Sequence, residues 1–170
     1  MDAVLISINP HWCNLIIIGL KGVELRKTRP KIKTPFKVYV YCTGGYVDPA
    51  SPVATENMSK KVIGEFICND IKCRTLANLI VKEDAENTLL GTCLVKDDGL
   101  DYLNYKKGTS IYEHKPNCFY LWNISDLIIY DEPKELSEFS NKDKSSNIQS
   151  IKRAPQSWCY VEELKDSSKN

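Results

Sequence analysis

Long apolar runs are missing from this 170-residue chain: stretches such as Leu15–Ile18 stop after a few residues, far short of a membrane-spanning helix. The N-terminus has neither the basic nor the apolar region of a secretory signal, so the expected location is the cytoplasm. Histidine is scarce, with 2 residues, and the 7 cysteines contain no C-x-x-C pair. Their odd number and scattered positions (13, 42, 68, 73, 93, 118 and 159) speak against a disulfide framework and for reduced thiols acting as small apolar side chains. Neither His11-Trp12-Cys13 nor the Cys68 and Cys73 pair has zinc-site spacing, and no metal or cofactor is expected. No G-x-S-x-G, Walker loop, dinucleotide fingerprint or H-E-x-x-H occurs. A formal charge of +1 excludes a strongly basic coat for nucleic acid.

What is present has the pattern of short strands. Val4, Ile6 and Ile8 alternate with Leu5, Ser7 and Asn9, which predicts a strand buried on one face and mixed on the other. A helix over about 10–18 follows, capped by Asn9, opened by Pro10 and ended by a left-handed Gly19. Val23 and Leu25 alternate with Glu24 and Arg26 in a second strand; Phe36–Cys42 is a third and Lys61–Ile71 a fourth, bent at Gly64. Lys27–Pro35 is a basic, proline-bounded loop, and Thr43–Lys60 an exposed one. Residues 74–107 are expected to be helical, Phe119–Tyr130 to hold a strand broken near Ser125 and Asp126, Pro133–Phe139 to make a helical turn, and Trp158–Val161 a last strand. Polar residues 140–150 predict a mobile connection, and 165–170 a frayed tail after a single domain spanning 1–164. Helices do not alternate regularly with strands, which argues against a parallel α/β sheet. The expected fold is α+β, a small, mostly antiparallel β-barrel with peripheral helices.

Charge is unevenly distributed. Lys21 to Lys37 holds seven basic residues and one acid, leaving that stretch at +6 and the rest of the chain at −5. Acids gather at Glu83, Asp84, Glu86, Asp97, Asp98 and Asp101, so the molecule is expected to be electrostatically two-faced. Strand alternation puts Glu24 and Arg26 on one face, and places Glu65 with Ile63 and Ile67. A carboxylate among apolar neighbours needs a cation, and Lys21 or Arg26 are the candidates by type. Trp12, Trp122 and Trp158, with Tyr41 and Tyr120, offer faces on which a base can stack.

Gly19, Lys21, Glu24 and Arg26 stand in a G-x-K-x-x-E-x-R pattern, and the segment from Ile8 to Pro30 that contains it resembles the opening signature of ASCH domains, members of the PUA-like superfamily. The stretches from Lys61 to Phe66, Tyr120 to Leu127 and Ala154 to Glu162 are similar to later parts of the same family, in particular small phage and Gram-positive members. Residues 74–117 match none of its motifs and read as a helical insertion. The resemblance implies a compact barrel with a cleft that binds RNA or a nucleoside. It also implies, for some short relatives, an amidohydrolase that deacylates 4-acetylcytidine with a lysine, a threonine and a glutamate. Lys21 and Glu65 match the outer two roles; Glu24 stands where the threonine nucleophile is expected, and a carboxylate does not replace an activated hydroxyl. Thr28 and Ser7 are the available substitutes.

Three functions follow as expectations. The first is a binding module for RNA, single-stranded nucleic acid or a modified nucleoside. In it Lys21, Glu24, Arg26 and Glu65 form the pocket, Trp122 and Trp158 stack on the base, and Lys27, Arg29, Lys31 and Lys33 contact phosphates. The second is a hydrolase of modified nucleosides using Lys21 and Glu65. The third is a phage-encoded modulator that meets a protein partner through the acidic face near Asp97–Asp101.

Overall fold

A computed structural model describes residues 2–106, 108, 110, 117–142 and 148–164 of the chain. Apolar alternation makes β1 (Asp2–Ile8), and Asn9 then caps α1 (Pro10–Ile17) by accepting a hydrogen bond from the His11 amide on Oδ1 at 2.9 Å. Gly19 ends the helical turn at φ 76°, a conformation that costs a residue without Cβ little. The chain continues through β2 (Val23–Arg26) and β3 (Phe36–Cys42) to α2 (Pro52–Thr55), β4 (Val62–Cys68) and β5 (Ile71–Thr75). Three short helices follow, α3 (Leu76–Ile80), α4 (Lys82–Thr88) and α5 (Lys96–Tyr102), in the stretch expected to be helical. Then come β6 (Cys118–Asn123), β7 (Ser125–Lys134), a 3-10 turn at Leu136–Glu138, β8 (Ser140–Lys142), β9 (Ile148–Ser150) and β10 (Trp158–Glu162).

Five strands form one sheet in the order β10-β1-β3-β4-β7, three form a second in the order β2-β6-β5, and β8 pairs with β9. Every pairing is antiparallel except β1 with β3. That parallel pair needs a crossover, which α1 and β2 supply. The fold is α+β and mostly antiparallel, but the barrel is not closed. β6 runs almost directly into β7, so the chain changes sheets near Ile124, and β2 remains an edge strand without a ladder to the large sheet.

Both faces of the large sheet are covered. Val4, Ile6, Ile8, Val38, Val40, Phe66 and Trp122 form the core between the sheets. Ala3, Leu5, Tyr39, Tyr41, Val62, Phe139, Ile151 and Val161 form a second core on the opposite face. β1 is therefore buried on both sides, where its sequence predicts one mixed face. A third core joins Leu25, Phe119 and Leu121 of the small sheet to Leu76, Leu79, Leu89 and Leu103 of the helical segment.

Four expectations change in the structure. The predicted fourth strand is two strands in different sheets, β4 and β5, turning at Asn69 and Asp70. The loop from Thr43 to Lys60 contains α2 and buries Val53 and Met58 completely, with the Val53 amide donating to Asn14 Oδ1 at 3.2 Å. The segment read as a connection supplies the paired strands β8 and β9; its residues 143–147, like the tail 165–170 and the insertion's residues 111–116, lie outside the described residues. Finally, β4 does not keep one alternation. Val40 pairs with Gly64 and Tyr41 with Val62, so Ile63 is an extra residue in a bulge. Ile63 and Phe66 enter the core between the sheets, while Glu65 lies opposite Tyr39 on the other face.

Gly64 allows β7 to approach this bulge: a Cβ there would collide with the carbonyl oxygen of Ile128. Gly64→Ala should lower unfolding free energy by about 1–3 kcal/mol or more in urea denaturation. Gly22→Ala, whose Cβ meets nothing within 4 Å, should leave the midpoint nearly unchanged.

Candidate functional site

The turn after α1 directs Lys21 inward, and β2 alternation directs Glu24 and Arg26 to the same side. Lys21, Glu24 and Arg26 are only 4%, 6% and 8% exposed. Lys21 Nζ donates to the carbonyl oxygens of Val23 at 2.8 Å and Thr92 at 2.7 Å and lies 3.3 Å from Glu24 Oε2. Arg26 Nη2 lies 3.0 Å from Glu24 Oε1 and donates to the carbonyl oxygen of Ser7 at 2.7 Å. A single carboxylate thus bridges two cations, and the triad keeps a net positive charge. Desolvating each ion costs several kcal/mol, which close opposite charges and main-chain carbonyls offset. The hydrogen bonding is nevertheless incomplete: Glu24 Oε2 and Arg26 Nε are buried with no hydrogen-bond partner, and the 3.3 Å contact between Lys21 and Glu24 Oε2 is Coulombic only.

These groups line a cavity of about 820 Å³ between the end of β1, β2 and α5. Trp12 of α1 and Tyr102 of α5 contribute aromatic walls. Lys21 Nζ stands 5.2 Å from the centre of the Trp12 ring, and Lys27 Nζ 5.2 Å from that of Tyr102. Burial holds the Tyr102 phenol above its ordinary pKa, with the Arg26 charge opposing the shift. Asp98 and Asp101 of α5 bring two further carboxylates to the cavity.

No protein-family model and no curated protein sequence matches the chain. Among solved structures, the ASCH protein of Zymomonas mobilis is similar, with a TM-score of 0.58 and 19% identity over 95% of this chain and 88% of that one. A mutant of the same protein gives a TM-score of 0.60 and 19% identity over 95% and 89%. The fold is the ASCH fold. At this identity the likeness carries architecture, and what the cavity does must come from its own residues.

Within the ASCH fold, the structure joins Lys21, Glu24 and Arg26 but not Glu65. Lys37 Nζ binds Glu65 at 2.8 Å and Glu163 at 3.3 Å, and the Tyr130 hydroxyl donates to Glu65 at 2.6 Å. The cation that Glu65 needs is thus Lys37, on the neighbouring strand, because the bulge at Ile63 turns Glu65 toward Tyr39 and Tyr130. Glu65 is not among the residues lining the cavity. The predicted stacking residues are also corrected. Trp122 is completely buried, with ring centres 5.9 Å from Phe36 and 6.0 Å from Trp158. Trp158 is half-buried and donates through Nε1 to Thr28 Oγ1 at 3.0 Å. Neither lines the cavity, and Trp12 and Tyr102 hold the positions expected of them.

Of the two hydroxyl candidates, Thr28 is bonded to Trp158, and Ser7 lines the cavity while donating to the Pro155 carbonyl oxygen at 2.7 Å. Arg29, Lys31 and Lys33 are exposed in the loop after β2 and Lys27 is half-buried against Tyr102; among the described residues no ion pair engages these four. The acids of α5 are not a separate face, because Asp98 and Asp101 open into the cavity. Their spacing of three on a helix was the sequence signal that could have placed them together. Among the described residues, no group of three or more His, Cys, Asp or Glu is placed to hold a metal ion, and no helix is long and apolar enough to cross a membrane.

Glu24→Ala should cost about 3–5 kcal/mol of stability in urea denaturation, because it leaves two buried cations without their anion. A loss below about 1 kcal/mol would show that water compensates them. All seven cysteines are free thiols. Burial pushes the Cys68 thiol up to about 12 and that of Cys159 up to about 11, and raises Cys13 well above its usual value. Since the thiolate is the nucleophile, Ellman's reagent at pH 8 should modify exposed Cys93 first and leave Cys13, Cys68 and Cys159 unmodified until the protein is unfolded.

Proposed function

We propose that the chain is a binding module that seats one nucleoside of RNA or another single-stranded nucleic acid, or a free modified nucleoside, in the cavity at Lys21, Glu24 and Arg26. One observation carries this reading: a buried charged triad, one carboxylate between two cations, lines a cavity of about 820 Å³ that Trp12 and Tyr102 also wall. The volume lies in the range of small-molecule sites, and Trp12 and Tyr102 suit a flat ring. Lys27, Arg29, Lys31 and Lys33 lie on the chain segment directly after Arg26, where the backbone of a bound strand would pass.

Binding is preferred to hydrolysis on geometry. The Lys21 ammonium is engaged by two carbonyl oxygens and Glu24, and Glu65 by Lys37 and Tyr130, so a lysine and glutamate do not converge on a reacting atom.

Single-stranded RNA should bind with log affinity falling against log salt at a slope near −3 if about four phosphates are neutralised. Reversing Arg29, Lys31 and Lys33 to Glu should reduce affinity at least about tenfold and flatten that slope. Titration by fluorescence anisotropy reads both. The absence of binding to any single-stranded nucleic acid or nucleoside would defeat the proposal.

A further inference from the structure

A second cavity, of about 420 Å³, lies where β5 meets the end of α4. Strand register explains which side chains it receives. Lys72 pairs with Leu121 and Arg74 with Phe119, and both partners belong to the core beneath the helices, so Lys72 and Arg74 lie on that same face of the sheet. β5 is the outer strand of the small sheet and α4 ends at Thr88, so the two cations stand at the margin of this core and line the cavity together. Neither belongs to the basic stretch from Lys21 to Lys37.

The protein itself does not answer these charges. Among the described residues no ion pair engages Lys72 or Arg74, and neither donates to a carbonyl of α4; Arg74 Nη1 donates to the adjoining Cys73 carbonyl oxygen at 3.1 Å. Asp70 is the single acid lining the cavity, which keeps a net positive charge. Asn123 adds a donor to the same wall: its Oδ1 accepts from Ser125 Oγ, which leaves Nδ2 to donate elsewhere. No aromatic side chain among the described residues lines this cavity, so it offers a base nothing to stack on, in contrast to the cavity walled by Trp12 and Tyr102. A phosphate group fits the donor set. Its tetrahedral oxygens accept from a guanidinium fork, an ammonium and an amide at once, whereas a neutral or cationic ligand leaves both charges unmet.

We infer that this cavity is an anion site that takes a phosphate group, with Lys72 and Arg74 meeting its charge and Asn123 Nδ2 donating to one of its oxygens. The phosphate belongs either to the backbone of a bound single strand or to a free phosphate or mononucleotide; the chemistry at the three side chains is the same. The site is distinct from the one proposed for a nucleoside and does not depend on it.

The test is amide NMR of the isotope-labelled full chain titrated with inorganic phosphate, uridine 5′-monophosphate and uridine, beside anisotropy with a single-stranded RNA. Phosphate and the monophosphate should saturably shift the Asn123 side-chain amide and the backbone amides of β5, and uridine should not shift them. Lys72→Gln combined with Arg74→Gln should weaken phosphate at least about tenfold, because two charged donors are lost. Lys152→Gln, an exposed cation outside the cavity, should leave it unchanged, and the spectra report that each variant is folded. In the RNA arm, a salt slope flatter by about 0.7 in the double variant, the share of one phosphate, assigns the group to a bound strand. An unchanged slope beside lost phosphate binding assigns it to a free phosphate or mononucleotide. The inference is overturned if the double variant alters neither phosphate binding nor the slope, or if Lys152→Gln weakens phosphate as much, which would report general charge rather than a site. Failure of any RNA or nucleoside to bind defeats the binding module and leaves the phosphate titration to decide this site.

Discussion

The carboxylate of Glu24, held between Lys21 and Arg26, is the interaction on which the cavity depends. It is buried in a place where no strand ladder closes the sheet, so side chains perform the bridging that main-chain hydrogen bonds perform elsewhere. Through Lys21 it reaches the Thr92 carbonyl of the helical segment, and through Arg26 the Ser7 carbonyl of β1. Three parts of the chain, distant in sequence, are thereby referred to one anion. Such a network is costly to desolvate and demands good geometry, which favours a single arrangement of β2 against its surroundings.

The gap that the triad spans follows from the topology. β2 pairs with β6 alone, while β1 is enclosed by β10 and β3. A closed barrel would have filled the space between β1 and β2 with a ladder and left no cavity. The open edge instead receives α5, which brings Tyr102, Asp98 and Asp101 opposite the triad. The helical segment is anchored for this role by Leu76, Leu79, Leu89 and Leu103, which pack on Leu25, Phe119 and Leu121 of the small sheet. One face of β2 thus attaches the helices and the other presents the charges, a division that strand alternation makes possible.

A second charged cluster, Lys37 with Glu65 and Glu163, lies on the far side of the large sheet. Glu65 near Tyr39 strengthens the positive form of Lys37, whose pKa is raised by Glu65 despite the opposing effect of burial. The Tyr39 hydroxyl accepts from the Leu164 amide at 2.9 Å, so this cluster and its neighbours hold the end of the described chain against β3. The two charged clusters therefore have different surroundings: one borders a cavity of about 820 Å³, the other closes over the second core.

Local spacing in the sequence was enough to establish the helix cap at Asn9, the left-handed Gly19, the shared face of Glu24 and Arg26, and the antiparallel α+β character. Each depends on residues within one or two turns of chain, whose backbone preferences and side-chain periodicity act over that same range. The partner of Glu65, the burial of Trp122, and the arrival of Asp98, Asp101 and Tyr102 at the cavity were not legible there. A single bulged residue, Ile63, reverses which face Glu65 takes, and its position depends on how β4 registers with β3 and β7. Likewise, Trp122 is core because β6 turns that face toward Phe36, and α5 reaches the triad because the leucines of the helical segment, Leu103 directly after α5 among them, dock on the small sheet. The sequence by itself determined the elements and the charged motif; tertiary structure decided which charges meet, because strand register and helix docking are set by contacts between segments far apart in the chain.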